Sequence, residues 1–265
     1  MNKLLFHVDA FTAEPFQGNP AGVMISSGVL TEEFMQTLAA ELNLSETAFL
    51  SPQDGGYRIR FYTPETEIEL CGHATLSAAH ILYENELVQA EAPLRLFSRA
   101  GELMVSYDSG LIIMDFPAYK LKKVEISDEL KKVSGLNAIE LFHCDYDWYL
   151  ARLGSEKEVL DAEPDFCKLK KSKYRNLIIT AATKEEGIDF VVRCFVPGMG
   201  INEDPVTGSA HCALTPYWAG VTGKSEFTSY QASKRGGYLS LRLEEKRVII
   251  AGNAVTIMQS ELLAF

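Results

Sequence analysis

Two similar stretches decide the fold of this chain: YRIRFYTP (Tyr57–Pro64) and FVVRCFVP (Phe190–Pro197). Each reads aromatic, any residue, β-branched, arginine, any residue, aromatic, any residue, proline. The alternation and the β-branched residues predict a strand in each copy, and the proline predicts where that strand ends. The match therefore indicates an internal duplication.

A helix with an unusual composition follows each predicted strand. The first is GHATLSAAHILY (Gly72–Tyr83), and the second is GSAHCALTPYWAGV (Gly208–Val221). Neither segment contains Asp, Glu, Lys or Arg. A helix without a charged face is buried on all sides, so both are predicted to lie inside a core. Pro216 is expected to kink or shorten the second helix.

Strand-like segments are plentiful on both sides of each helix, so one central helix wrapped by a curved sheet is expected twice. This predicts an α+β fold with two pseudo-symmetric lobes. We expect the N-terminal lobe at residues 1–120 and the C-terminal lobe at residues 121–265, with the last strand free to pack with the N-terminal lobe. Peripheral helices are predicted at Thr31–Leu42 and Ser127–Gly135, with Thr31 and Ser127 as N-caps.

The composition excludes several classes of function. The chain has 265 residues and a formal net charge of −11, which disfavours nucleic acid as a partner. Its five cysteines are odd in number and lack the spacing of a metal site, so reduced thiols are expected. No apolar run reaches the length of a membrane span or resembles a signal peptide. These features predict a soluble cytoplasmic protein without a membrane partner.

The starts of the two small-residue helices are candidate binding sites. A first helical turn leaves backbone N–H groups unpaired and carries partial positive charge, and glycine lets an anion approach them. Duplication would point the starts at Gly72 and Gly208 toward a shared cleft. Such a cleft suits a small carboxylate and could stabilise an enolate-like charge.

Proton-transfer groups lie near these helix starts. The candidates are His73, Asp204, Glu203, Glu67 and Cys71. A further carboxylate, Glu46, sits in LSETAFL (Leu44–Leu50), between a predicted helix and an apolar strand. Partial burial there is expected to raise its pKa toward the range of a general base.

Four ordered motifs carry a resemblance to a known family. They are VDAFTAEPFQGNPAGV (Val8–Val23), LSETAFL (Leu44–Leu50), RFYTPETEIELCGHAT (Arg60–Thr75) and EDPVTGSAHCAL (Glu203–Leu214). The chain resembles the phenazine-biosynthesis isomerase family (PhzF-like), which shares the diaminopimelate epimerase fold. The resemblance implies an isomerase that uses no cofactor and no metal, acts on a small anionic substrate and forms a homodimer.

The resemblance also assigns roles to residues. Glu46 matches the glutamate that moves a proton in the family, while His73 and Asp204 match its Gly-His pair and its aspartate. The helix starts, with Gly72 on one side and Gly208 and Ser209 on the other, are expected to hold the substrate. Asn19 is open to two interpretations, a turn residue or a contact to the substrate. Glu67 and Glu203 are expected to hold loop N–H groups.

Three functions remain open on the sequence. The first is a proton shift within a small, cyclic carboxylic acid, with Glu46 as general acid/base. The second is a racemase or epimerase acting at one carbon. Related epimerases use two opposed cysteines, but here Cys71 is matched in the second half by Thr207, which is far too weak an acid to replace a thiol. The third is a non-catalytic protein that binds small carboxylates.

Overall fold

The structure, a computed structural model, describes residues 4–263. It divides into two compact units. The first comprises Met1–Asp115 and Ala251–Phe265, and the second comprises Phe116–Ile250. Each unit is built mostly of strands around one long helix.

The helices and strands are numbered in chain order. The strands are β1 Leu4–Ala10, β2 Asn19–Ile25, β3 Glu46–Gln53, β4 Gly56–Tyr62, β5 Glu67–Ile68, β6 Leu94–Ser98, β7 Gly101–Asp108, β8 Leu111–Pro117, β9 Leu121–Lys123, β10 Glu140–Cys144, β11 Trp148–Arg152, β12 Leu177–Ala182, β13 Phe190–Phe195, β14 Glu203–Asp204, β15 Glu226–Gln231, β16 Gly237–Glu244, β17 Arg247–Gly252 and β18 Ala254–Glu261. The helices are α1 Glu32–Leu42, α2 Gly72–Glu84, α3 Asp128–Ser134, α4 Glu156–Leu160, α5 Phe166–Lys170 and α6 Gly208–Thr222.

The first unit wraps its strands around α2. Strand β1 pairs antiparallel with β2 and with β18, β2 runs parallel to β3, and β3 is antiparallel to β4. Strand β4 then pairs antiparallel with β5 and parallel with β6, which continues antiparallel into β7. The helix packs on β1, β2 and β3. Most of its residues are buried, as expected for a helix without a charged face.

The second unit repeats this order of pairings. Strand β10 is antiparallel to β11, β11 is parallel to β12, and β12 is antiparallel to β13. Strand β13 pairs antiparallel with β14 and parallel with β15, which is antiparallel to β16. Helix α6 follows β14 as α2 follows β5. The duplicated α+β architecture predicted from the two eight-residue stretches is therefore confirmed.

The arginine shared by the two stretches has a structural role. Arg60 Nε and Nη2 each lie 2.7 Å from the carboxylate oxygens of Glu67, and Arg193 binds Glu203 in the same bidentate way at 2.7 and 2.9 Å. Each pair ties a central strand to the short strand that leads into the buried helix. The two glutamates thus hold a guanidinium group, where the sequence had suggested loop N–H groups.

Pro216 was expected to kink or shorten α6, and the structure shows that it does not shorten it. The helix runs through it, from Gly208 to Thr222. A proline has no N–H to donate to the carbonyl four residues earlier, which here belongs to Cys212. The backbone N–H of Tyr119 donates to that carbonyl at 2.9 Å, so the freed acceptor is satisfied from outside the helix.

The predicted peripheral helices are present with their predicted caps. Thr31 precedes α1 and accepts a hydrogen bond from the N–H of Phe34, and Ser127 precedes α3 and accepts from Leu130. Both helices end at a residue in the left-handed conformation, Asn43 and Gly135. Within residues 4–263 no helix is long and apolar enough to cross a bilayer.

Candidate active site

Three segments of the first unit bring the candidate proton-transfer groups together. Glu46 is the first residue of β3, where it pairs with Ala21 of the parallel strand β2. Asn19 is the first residue of β2, and His73 is the second residue of α2. Since α2 packs against β2 and β3, these side chains converge at the start of the helix.

The closest contact joins Glu46 and His73. Glu46 Oε2 lies 3.1 Å from His73 Nε2, and their side chains are 18% and 6% exposed. On the other side of the ring, His73 Nδ1 lies 3.2 Å from Asn19 Nδ2 and 3.4 Å from Cys71 Sγ. A carboxylate, an imidazole and a thiol thus form one buried cluster, which we call the Glu46 cluster.

The pKa of Glu46 is lowered, contrary to the expectation from sequence. Burial acts to raise the pKa of this carboxyl, as predicted, but it does not act alone. The charge of His73 and hydrogen bonds from His73, Ser45 and Cys71 favour the carboxylate and outweigh burial. Glu46 is therefore ionised at neutral pH and ready to accept a proton.

The other two members of the cluster respond to that negative charge. Burial would lower the pKa of His73, but the neighbouring Cys71 and Glu46 raise it well above its ordinary value. Burial and then the charge of Glu46 raise the pKa of the Cys71 thiol. Since this thiol stays protonated at neutral pH, the carboxylate of Glu46 is the charge that stabilises a protonated His73.

Asn19 holds the histidine ring from the side opposite Glu46. Its side chain is fully buried, and Ser45 Oγ donates to Asn19 Oδ1 at 3.4 Å. Asn19 Nδ2 lies 3.2 Å from His73 Nδ1, an amide orientation that suits a neutral ring with its proton on Nε2, the nitrogen that faces Glu46. A half-turn of the Asn19 amide presents Oδ1 to the ring and suits the doubly protonated imidazolium.

Asp204 belongs to a second network, located in the second unit before α6. Thr207 Oγ1 donates to Asp204 Oδ2 at 2.6 Å. Gln231, which is fully buried on β15, accepts from the Thr207 N–H at 2.8 Å and donates to the Asp204 carbonyl at 2.8 Å. These bonds fix the Asp204 carboxylate and the loop that enters α6. Gly208 is buried and Ser209 is exposed in the first turn.

The two central helices differ from the others in how they begin. Thr31, Ser127, Ser155 and Asp165 each accept a hydrogen bond from a first-turn N–H of their own helix. Cys71 and Thr207 are the N-caps of α2 and α6. Within the described residues, neither side chain accepts a hydrogen bond from the first turn of its own helix. The first turns of α2 and α6 are therefore candidate sites for binding an anion.

The sequence and the fold both match a known protein family. A family model, PhzC-PhzF, described as phenazine biosynthesis-like protein, matches residues 8–260. The chain belongs to this family. A PhzF family phenazine biosynthesis protein from Enterococcus faecalis superposes with a TM-score of 0.94 at 38% identity, and the match covers 100% of both chains. A protein from Halalkalibacterium halodurans, named an uncharacterized isomerase, is 43% identical over 264 residues, covering 99% of each chain.

More distant structures share the fold of this PhzC-PhzF member. A probable proline racemase from Agrobacterium radiobacter matches with a TM-score of 0.68 at 13% identity, covering 99% of this chain and 93% of the other. At that identity the likeness shows the fold alone. The predicted membership of the PhzF-like family and the diaminopimelate-epimerase-like fold are both confirmed.

The predicted site residues of this PhzC-PhzF chain fall into two groups. Glu46, His73 and Asn19 come together, with Gly72 opening the helix beside them. Asp204, Gly208 and Ser209 lie in the second unit, and the shared cleft expected for the two helix starts stays a prediction.

Sequence reasoning missed Gln231. Its signal was present, since β15 alternates buried and less buried residues and places two polar side chains, Ser229 and Gln231, at buried positions.

Proposed function

We propose that this chain is a small-molecule isomerase that moves a proton within a small carboxylic acid, with Glu46 as the general acid/base. The observation that carries the proposal is the buried Glu46–His73 contact at 3.1 Å in a member of the PhzC-PhzF family. The lowered pKa of Glu46 supports a carboxylate that starts the reaction as a base. The name of the relative from Halalkalibacterium halodurans supports the reaction class.

The reaction needs one proton carrier and one way to hold negative charge. The Glu46 carboxylate removes a proton from an acidic C–H of the substrate, and the electron pair delocalises into the adjacent unsaturated acid as an enolate-like anion. The protonated Glu46 then returns the proton to a different carbon, which shifts a double bond with no net change in atoms or electrons. The uncapped first turn of α2 offers N–H donors to that anion.

His73 serves as the partner that sets the state of Glu46. When the carboxyl takes up a proton, its attraction for the imidazole weakens, and when it gives the proton up, the attraction returns. Asn19 holds the ring in place through both states. We keep Asp204, Gly208 and Ser209 as proposed substrate contacts on the strength of the family resemblance, and the homodimer as an expectation that sedimentation would check.

The first test compares Glu46→Gln with Glu41→Gln, an exposed acid on α1. Each protein is incubated in deuterated water with a panel of small cyclic carboxylic acids, and deuterium uptake is followed by NMR and mass spectrometry. Loss of a general acid/base costs about 10²–10⁴-fold in rate. We expect that loss for Glu46→Gln, with substrate binding retained, and wild-type exchange for Glu41→Gln. Full exchange in Glu46→Gln would end the proposal.

One observation favours the racemase alternative. Cys71 Sγ lies 3.4 Å from His73 Nδ1, so a second acid is in reach of the same cluster. A racemase would exchange deuterium at one stereocentre and lose optical rotation, whereas a proton shift would move a double bond and leave a new positional isomer. The burial-raised pKa of the Cys71 thiol weighs against it as a base at neutral pH.

A further inference from the structure

The Glu46 cluster contains the ligand atoms of a transition-metal site. One oxygen of Glu46, Sγ of Cys71 and one ring nitrogen of His73 all lie within 4.8 Å of one another. Among the residues that the structure describes, this is the one group of three or more such side chains gathered so closely. Carboxylate, thiolate and imidazole are the ligand types of catalytic zinc sites, which use three protein ligands and leave one position open.

The three side chains lie close enough to share a single ion after rotation. Zinc bonds of about 2.0–2.1 Å to nitrogen or oxygen and about 2.3 Å to sulfur place tetrahedral neighbours roughly 3.3–3.6 Å apart. In the structure, His73 Nε2 lies 3.1 Å from Glu46 Oε2 and 4.0 Å from Cys71 Sγ. The three ligand atoms are within 4.8 Å of one another, and Cys71 Sγ lies nearer to Nδ1 than to Nε2. Rotation of the side chains is therefore needed to bring all three atoms onto one ion.

A second observation concerns the oxygen that faces the ring. Glu46 Oε2 is buried and faces His73 Nε2 at 3.1 Å. Once that nitrogen gives up its proton, the carboxylate oxygen and the ring nitrogen each present a lone pair to a shared cation. Asn19 lies against His73 Nδ1, and with its amide turned so that Oδ1 accepts from the Nδ1–H it would be the outer partner that orients a metal-bound histidine.

We propose that the Glu46 cluster binds one borderline-soft divalent cation, Zn²⁺ or Co²⁺, through Glu46, Cys71 and His73, and that the bound ion inhibits the enzyme. Binding forms three metal–ligand bonds and releases to solvent the thiol proton of Cys71 and the Nε2 proton of the His73 imidazolium, which leaves a neutral ring with its proton on Nδ1. Hard cations such as Mg²⁺ are disfavoured because they prefer oxygen ligands alone. The inhibition, unlike the binding, rests on the proposed function, because a metal-bound Glu46 cannot accept a proton from carbon.

The test is a titration of the full chain, first treated with a chelator, with Co²⁺. We expect one ion per chain, with a thiolate-to-cobalt charge-transfer band and the visible bands of tetrahedral cobalt, both removed by Zn²⁺. Cys71→Ser should lose the charge-transfer band. Cys167→Ser, which removes an exposed thiol, should keep it unchanged. The proposal is overturned if wild type shows no charge-transfer band. It is also overturned if Cys71→Ser retains the band or if Cys167→Ser abolishes it.

A second variant covers the case in which Cys71→Ser fails to fold. Glu46→Gln keeps the thiol and the imidazole, so the charge-transfer band should remain while the affinity falls. The fall should exceed the roughly 10- to 100-fold loss typical of an outer partner. Unchanged affinity in Glu46→Gln would contradict the assigned ligands.

The exchange assay separates the two proposals. One equivalent of Zn²⁺ should abolish deuterium uptake in wild type. A chain that binds Co²⁺ as described but never exchanges deuterium would refute the proposed function alone. Wild type that exchanges normally with the ion bound would refute the inhibition.

Discussion

His211 should make the stability of the second unit depend on pH. The ring is fully buried on α6. Its Nδ1 lies 2.8 Å from the Thr207 carbonyl and its Nε2 lies 2.9 Å from Ser229 Oγ, so the neutral ring is fully hydrogen-bonded. Burial lowers the pKa of His211 from 6.5 to about 4, with the Thr207 carbonyl opposing the shift.

The direction of the pH effect on stability depends on whether the folded or the unfolded chain binds the proton more readily. Between pH 6.5 and 4 the unfolded chain protonates this histidine and the folded chain does not, so unfolding is favoured as the pH falls. Above pH 6.5 the stability is fully present, and the loss is complete below about pH 4. For these two pKa values the loss between pH 7.5 and 5 is about 2 kcal/mol, and the full loss is roughly 3 kcal/mol.

The assay is urea unfolding followed by tryptophan fluorescence at pH 7.5 and 5. Both tryptophans, Trp148 and Trp218, are buried in the second unit, so the signal reports on the part of the chain that contains His211. His211→Gln removes the titrating group, while His143→Gln removes a more exposed histidine of the same unit.

We expect wild type and His143→Gln to lose about 2 kcal/mol more on acidification than His211→Gln. Because wild type and His211→Gln share every other titrating group, the difference between these two proteins isolates His211. A difference under about 0.5 kcal/mol would refute the reasoning, since it would mean that the buried ring accepts its proton as readily as an exposed one.

Three further outcomes follow. In His73→Asn, the low-pH side of the profile of deuterium-exchange rate against pH should move to higher pH, because the histidine no longer opposes the rise that burial causes in the pKa of Glu46. An unchanged profile would contradict the pairing of Glu46 with His73. Gln231→Leu leaves the buried Thr207 N–H without its acceptor and should lower the free energy of unfolding by about 1–3 kcal/mol in the same urea assay. A loss below about 0.5 kcal/mol would count against that network. Phe190→Ala removes a fully buried ring and should cost about 3–5 kcal/mol, so a drop in melting temperature of only a degree or two would be inconsistent with the packing.

The features that depend on local sequence were predictable. The strand motif around Arg60 and Arg193 predicted the duplication, because the alternation of side chains in a strand can be read from a few adjacent residues. The uncharged stretch after Gly72 predicted a buried helix, because the lack of a charged face is also visible in the local sequence. Thr31 was identified as a cap from its position alone, and the structure bears this out.

The features that depend on distant partners were not predictable. The predicted direction of the Glu46 pKa shift was wrong. His73, which reverses the shift, is 27 positions away in the chain. Pro216 does not shorten its helix because the Tyr119 N–H, supplied from outside the helix, satisfies the carbonyl that proline leaves free. In both cases a residue far along the chain decides the balance between two opposing local effects.

Because β1 pairs with β18, the first unit cannot be completed until β18 has been synthesised. The first unit draws its closing strand from Ala254–Glu261, whereas the second is one uninterrupted stretch, Phe116–Ile250. At a synthesis rate of roughly 5–20 residues per second, the ribosome needs about 7–27 s to synthesise that stretch. During this interval β1 lacks one of its two neighbours and offers an open edge, so the nascent chain is most exposed to mispairing before its last strand emerges.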